Sequence, residues 1–262
     1  MIRRVLVVAI LLILIGGIGS LYTAKSQKKE SEKLEEVIEE TSFDKINLHT
    51  DNADIILSST TDNQAKIELH GYQSGDELLA NVVDQTLDVR VNNKSAKLFS
   101  FDFFSPVLSL HIYVPEKIYD TIQIKSTNGS IEMVNIEGKN FDVFTNNGKM
   151  TLNHTVGNSF SLDSDNGQIK MNDVTSARLQ ATTDNGSITL NTEDLDQSIS
   201  LYTDNGEIDI QSASEPTNAT FDIKTDNGEV TFFGEKDWAV KTGNGENDIK
   251  LHSNNGNITL SH

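Results

Sequence analysis

Thr127, Asn146, Asp165, Asp184, Asp204 and Asp226 recur at one fixed place in the second half of this chain, each immediately before an Asn-Gly pair. Four successive members of the series are aspartates. If they are stacked at the spacing of neighbouring β-strands, about 5 Å, their carboxylates repel one another. A bound Ca2+, which takes its ligands from carboxylate and carbonyl oxygens, relieves that repulsion. Asp165, Asp184, Asp204 and Asp226 are therefore the candidate Ca2+ ligands, and Ca2+ is the one candidate cofactor. The alternative is that these side chains face water and cap their own turns, since Ca2+-binding nonapeptide solenoids carry denser glycine and a different Asp spacing.

Catalysis requires convergent groups, typically a nucleophile, a base and an orienting partner. The histidines His49, His70, His111, His154, His252 and His262 show no metal-ligand spacing, and no two of them share a repeat column. The chain has no cysteine, no phosphate-cradling glycine loop before a helix and no Gly-x-Ser-x-Gly elbow. No catalytic residue is assigned, and an enzyme is not expected.

The elements that position the Asp column follow from the Asn-Gly pairs themselves. These are Asn128-Gly129, Asn147-Gly148, Asn166-Gly167, Asn185-Gly186, Asn205-Gly206 and Asn227-Gly228, at intervals of 19, 19, 19, 20 and 22 residues, followed by Asn244 and Asn255. A fixed period marks an internal repeat. Six and four residues before each Asn stand apolar residues, such as Phe141 and Val143 or Phe160 and Leu162. Three and five after it come others, such as Met150 and Leu152 or Ile169 and Met171. This period of two on both sides reads as two half-buried strands joined by a bend. Asn and Gly suit the bend because both tolerate positive φ, and the Ser or Thr two residues before each Asn is a turn residue that caps local backbone groups. A third apolar residue lies in the earlier connections, at Ile136, Val156, Val174 and Leu195.

Two architectures use this pattern. One is an antiparallel hairpin meander or sandwich, in which Thr225 faces Val230 and Ile223 faces Phe232. The other, which is preferred, is an all-β, right-handed parallel β-solenoid with coils of about 19 residues. No helical segment in the repeat region is available to cover the apolar face of a meander, whereas a coil closes its apolar columns on themselves. The Asn column then forms a ladder along one edge, and six coils span roughly 30 Å. With Asn244 and Asn255 only 11 residues apart, the C-terminal end is expected to finish as a hairpin with strand edges open near Asn257–Ser261.

Four segments are expected. Residues 1–24 hold an uncharged apolar run from Val5 to Tyr22, long enough to cross a bilayer, preceded by Arg3 and Arg4. The run reads as a single-pass signal anchor that leaves the rest of the chain extracellular; a cleaved signal ending near Gly17-Ile18-Gly19 is the alternative. Residues 25–41 form a charged juxtamembrane stalk, read as a short helix with Leu34, Val37 and Ile38 on one face. It is either a solvated spacer or a segment whose Lys25, Lys28, Lys29 and Lys33 touch anionic headgroups. Residues 42–120 form an irregular β cap whose Phe99, Phe101, Phe103 and Phe104 plug the first coil, and Asn47–Leu57 is a worn repeat with Ala53 in the glycine place. Residues 121–262 are the Asn-Gly repeat region, continuous with that cap.

The net charge of −18 falls entirely after residue 41, because residues 1–41 carry equal numbers of basic and acidic groups. So acidic a surface repels phosphate backbones, which excludes nucleic acid and favours cationic partners. With no disulfide available to an exported chain, the fold itself must supply stability.

The order Phe43-Asp-Lys-Ile, a Phe-rich strand, Leu110-His-Ile-Tyr-Val-Pro-Glu-Lys117, Ile122-Gln-Ile-Lys-Ser-Thr-Asn-Gly-Ser-Ile131 and serial Thr-Asp-Asn-Gly units resembles a family of bacterial envelope β-repeat proteins known as adhesin candidates. The resemblance covers about residues 42–262 and implies a solenoid-like extracellular domain. The anchor-plus-ectodomain layout is similar to that of a membrane-anchored member encoded with an envelope stress-response system. Expected partners are the membrane, through the N-terminal helix, and a cell-wall component or envelope protein. The expected function is adhesion or binding, with a structural or regulatory role through self-contact or a membrane sensor as the alternative. The family has no catalytic residues to carry over.

Overall fold

The computed structural model of the chain describes residues 33–93, 107–235 and 239–262. The apolar run from Val5 to Tyr22, the Phe99–Phe104 plug and Trp238 lie outside the described residues. Among the described residues, twenty strands and no helix form one continuous hydrogen-bonded sheet.

The alternating apolar pattern produces two stacks of parallel strands. Before the corner, Glu137–Thr145 pairs with Ile118–Ser126 on one side and with the second half of Met150–Ser164 on the other. Register is residue for residue, so Ile122, Phe141, Phe160, Leu179 and Ile199 lie in one column. After the corner, Ile131, Met150, Ile169, Ile188 and Ile208 form a second column. Every member of both columns is at most 2 % exposed. Burying both apolar faces against each other is what closes the coil. The Phe141 and Phe160 rings stack at 4.2 Å between centroids.

This pairing is solenoid-like and excludes the hairpin meander. Thr225 pairs with Ser253 and Val230 with Ile258, rather than with each other. Of the third apolar residues, Ile136, Val174 and Leu195 are buried, but Val156 is 44 % exposed and Thr155 is buried in its place.

Both ends depart from simple stacking. The first repeat copy, Lys45–Thr50 and Asp54–Thr60, lies one rung inside its end. It sits between Thr86–Asn93 with Ser109–Pro115 on one side and Ile118–Ser126 with Ile131–Val134 on the other. At the far end the last copy, Asn247–Asn255 and Ile258–Ser261, inserts between Ser198–Asn205 with Ile208–Ser212 and Ala219–Asn227 with Val230–Phe232. The expected terminal hairpin is therefore overturned. Ile249 and Leu251 fill the inward column at 0 % exposure, and the Asn257–Ser261 strand is paired on both sides rather than open.

Antiparallel strands close the N-terminal end. Lys33–Ile38 pairs with Ala65–His70, which pairs with Ser109–Pro115, and Asp76–Val83 pairs with Thr86–Asn93. The stalk helix expected over 25–41 is corrected over Lys33–Ile38. In this strand Leu34, Glu36 and Ile38 are half-buried and Val37 is exposed, the period of a strand edge. Lys33 is an ion-pair partner of Glu35 and Glu68.

Candidate functional site

The Asn-Gly edge is built from three nested columns. Outermost is an amide ladder of eight asparagines in the spatial order Asn52, Asn128, Asn147, Asn166, Asn185, Asn205, Asn255, Asn227. Each Nδ2 donates to the Oδ1 of the preceding Asn at 2.8–3.0 Å. Beneath it runs a hydroxyl column. Ser126, Thr145 and Ser164 accept from the N–H of Gly129, Gly148 and Gly167 at 2.9, 3.1 and 2.9 Å. Thr145, Thr183, Thr203 and Ser253 donate to the carbonyl of the glycine one rung back. A hydroxyl can do both because it holds a donor and acceptor lone pairs together.

The glycines form the third column, and their reason differs from the one expected. None of the Asn or Gly residues of the ladder corners lies at positive φ; Gly245 of the Asn244-Gly245 pair, outside the ladder, does, at 68°. A Cβ built on Gly148, Gly167, Gly186, Gly206 or Gly256 would instead meet the carbonyl oxygen of the glycine one rung back at 1.8–2.2 Å. Close approach of stacked backbones is what demands glycine. A Cβ on Gly129 would in the same way meet, at 1.9 Å, the carbonyl oxygen of Ala53, which holds the glycine place one rung back.

The Asp column lies on the outer face beside the ladder. Asp165 accepts from Asn146 Nδ2 at 2.7 Å, and Asp204 accepts from Asn254 Nδ2 at 2.7 Å and from the Tyr202 hydroxyl. Because the last repeat copy is inserted, Asn254 follows Asp204 in space and Asp226 lies one rung further on. The four successive carboxylates thus become three, Asp165, Asp184 and Asp204. Among the described residues no three His, Asp or Glu side chains come together in a group able to hold a metal ion. The local field is nonetheless strongly negative. Burial, then the charges of Asp165, Asp184 and Asp142, push the Asp163 carboxyl above its ordinary value.

The opposite edge, where each coil connects to the next, carries residues that the pattern analysis passed over. Asn135, His154 and Asp173 stand seven residues after Asn128, Asn147 and Asn166, and all three are left-handed, with φ of 55°, 50° and 51°. Asn, Asp and His are the non-glycine residues enriched in that region, and this was the available signal. The His154 and Asp173 side chains approach to 3.2 Å. They open onto a cleft of about 660 Å³ whose lining includes Ser176, Glu193, Asp194 and Asp196. Asp196 is tied down, accepting from the Thr217 hydroxyl at 2.8 Å and from the N–H of Thr217 and Asn218. These bonds, that of the Thr217 side chain first, lower its carboxyl below the ordinary range.

The remaining described histidine contacts are scattered. His70 bonds Glu68 at 3.0 Å and packs against the His111 ring at 4.8 Å, while His252 meets Asp222 at 3.2 Å and His262 meets Glu215 at 3.7 Å.

Comparison with known proteins follows the fold. A crystal structure described as an adhesin candidate from Bacteroides fragilis NCTC 9343 is 16 % identical, covers 87 % of this chain and 97 % of its own, and superposes with a TM-score of 0.51. A second described adhesin candidate, from Parabacteroides distasonis ATCC 8503, is 11 % identical, covers 88 % and 98 %, and superposes at 0.50. At such identities the likeness is one of fold. No curated protein sequence matches the chain. The Toastrack DUF4097 family model matches residues 43–169 and again 119–261, the span of both the worn first copy and the Asn-Gly coils, and the chain belongs to that family.

Proposed function

We propose that the chain is a binding module of the bacterial cell envelope, held by its N-terminal apolar run as a single-pass anchor with the Toastrack domain outside. It binds a cell-wall component or envelope protein, performs no catalysis and serves in adhesion or in the response to envelope stress. The observation that carries this reading is the unbroken rung-on-rung register, which presents Asp142, Asp163, Asp165 and Asp184 on one continuous outward face. A surface of this kind attracts cationic groups and weakens its grip as salt rises. The adhesin names of the two structural neighbours agree with such a role.

The test uses the full-length protein in detergent, presented to purified cell-wall polymers and to solubilised membrane proteins of the same cell. Retention of a polymer, released by salt and weakened by Asp165→Asn with Asp184→Asn, supports adhesion. Retention of a membrane protein alone moves the function to regulation through a sensor. Retention of neither, or a domain found inside the cell by protease protection, overturns the proposal.

A further inference from the structure

The cleft beside His154 is walled by two coil connections, Asp173 to Ser176 on one side and Thr192 to Gln197 on the other, and its volume of about 660 Å³ is that of a small-ligand site. Among the described residues no Lys or Arg lines it, whereas Asp173, Glu193, Asp194 and Asp196 do. The one basic group, His154, is already beside Asp173 at 3.2 Å. The second wall is held in shape by its own bonds. Asp196 N donates to Asp194 Oδ1 at 3.1 Å and the Thr192 hydroxyl to the Asp194 carbonyl at 3.0 Å, while Asp196 is tied to Thr217 and Asn218.

Gln197 adds an observation that the carboxylates do not explain. It lines the cleft yet is only 8 % exposed. Its Oε1 accepts from the Ser176 N–H at 3.1 Å and from the Ser176 hydroxyl at 2.8 Å. A backbone N–H can only donate, so the amide oxygen must face Ser176 and the NH2 group is the end left over. Among the described residues nothing accepts from Nε2, and an unpaired donor on a buried side chain is costly until an acceptor reaches it.

We propose that this cleft binds an amino sugar carrying a free ammonium group. The ammonium is matched by the carboxylates, the ring hydroxyls donate to their remaining oxygens, and a hydroxyl oxygen accepts from Gln197 Nε2. Other ligand classes meet only part of this set. A bare metal ion leaves the amide unpaired, and among the described residues no three acids or histidines converge to hold one. A neutral sugar leaves the negative charge uncompensated. A lysine side chain brings its ammonium on an apolar stem, and the one apolar residue of the lining, Val174, is itself buried at 1 % exposure. The cleft is separate from the outward Asp face and requires nothing of what that face binds.

Isothermal titration of the full-length protein in detergent with a glucosamine disaccharide, at a pH that keeps its amines charged, tests the proposal. The N-acetylated disaccharide and dilysine are the controls, and each should bind about tenfold more weakly or not at all. Asp173→Asn combined with Glu193→Gln should weaken binding about tenfold or more; both positions are exposed, so an unchanged thermal melt excludes misfolding as the cause. Gln197→Glu separates the amide from simple charge attraction. It keeps an oxygen for Ser176 and replaces the donor by a second acceptor, so attraction alone predicts tighter binding, whereas the proposal predicts binding about fivefold weaker. Asp165→Asn with Asp184→Asn should leave the affinity within about threefold of the wild type. No binding of the glucosamine disaccharide overturns the proposal, as does equal binding of either control. Loss of binding through the Asp165 and Asp184 pair but not through the cleft pair also overturns it, and leaves the reading of the outer face standing.

Discussion

The Asn-Gly edge and the N-terminal cap both have to satisfy polar groups at the rim of an apolar core, and they do it with different chemistry. Along the edge the same partnership repeats from rung to rung: amide on amide, hydroxyl on glycine carbonyl. In the cap the partners are unlike. Glu68 is buried and accepts from Lys33, Lys66 and His70. The difference follows from strand direction. Parallel, in-register stacking sets each side chain about 4.8 Å from its own copy, so a repeated charge would face its own kind. Amides and hydroxyls carry donor and acceptor together and can pair with themselves. Antiparallel strands oppose unlike residues, so ion pairs become available. The Asp column obeys the same constraint, with Asn146 and Asn254 supplying amide donors beside Asp165 and Asp204.

The largest expected break in this contrast is Gly167→Ala. Its Cβ would stand 1.8 Å from the Gly148 carbonyl oxygen, so two coils must separate. A loss of about 3 kcal/mol is expected, read by chemical denaturation. Thr145→Val comes next. It strands the Gly148 N–H and the Gly129 carbonyl beneath a fully buried side chain, and about 2 kcal/mol should be lost, most of it recovered by Thr145→Ser. Asn166→Ala removes two rungs of the exposed ladder, and the same denaturation should show a loss of about 1 kcal/mol.

The smallest expected effect is in the cap and depends on pH. Burial by itself would raise the Glu68 carboxyl, but the hydrogen bonds from Lys33, Lys66 and His70 outweigh it and hold it at about 2, below the ordinary 4.5. The folded state therefore keeps the charge where the unfolded chain has taken up a proton. The contribution to stability is complete above pH 4.5 and disappears as pH falls toward 2. Glu68→Gln should flatten the melting temperature across that window, whereas Thr145→Val should lower it without altering its slope. Equal slopes for all three proteins would show that the cap and the edge do not differ in this way.

Much of the coil was legible because a visible marker, Asn-Gly, aligned the copies and exposed the period of two on either side. The buried columns from Ile122 to Leu251 follow from that alignment. The glycine's role did not, because positive φ and close backbone approach select the same residue and only the stacked neighbour distinguishes them. Thr155 rather than Val156 turned inward because the left-handed His154 shifts the alternation by one place. Lys33–Ile38 fits a helical face and a strand edge equally well, and pairing with Ala65–His70 decided between them. Of the candidate site, the Asp column was visible but its spatial order was not: copies with the same columns fit any slot, so sequence order does not imply stacking order. The cleft beside His154 arises from connections of unequal length, which an alignment on the corners leaves unread.

The slot occupied by the final copy has a consequence for biosynthesis. Residues 247–261 are made after Ala219–Phe232, yet they fill a position one rung inside the end of the stack. Until they arrive, Ala219–Asn227 lacks its native neighbour and faces Ser198–Asn205, whose column pattern matches that of the missing strands. Direct pairing of these two segments would keep the columns in register and would have to open again to admit the last copy. A chain cut between Phe232 and Asn247 therefore lacks an interior rung rather than an outer one.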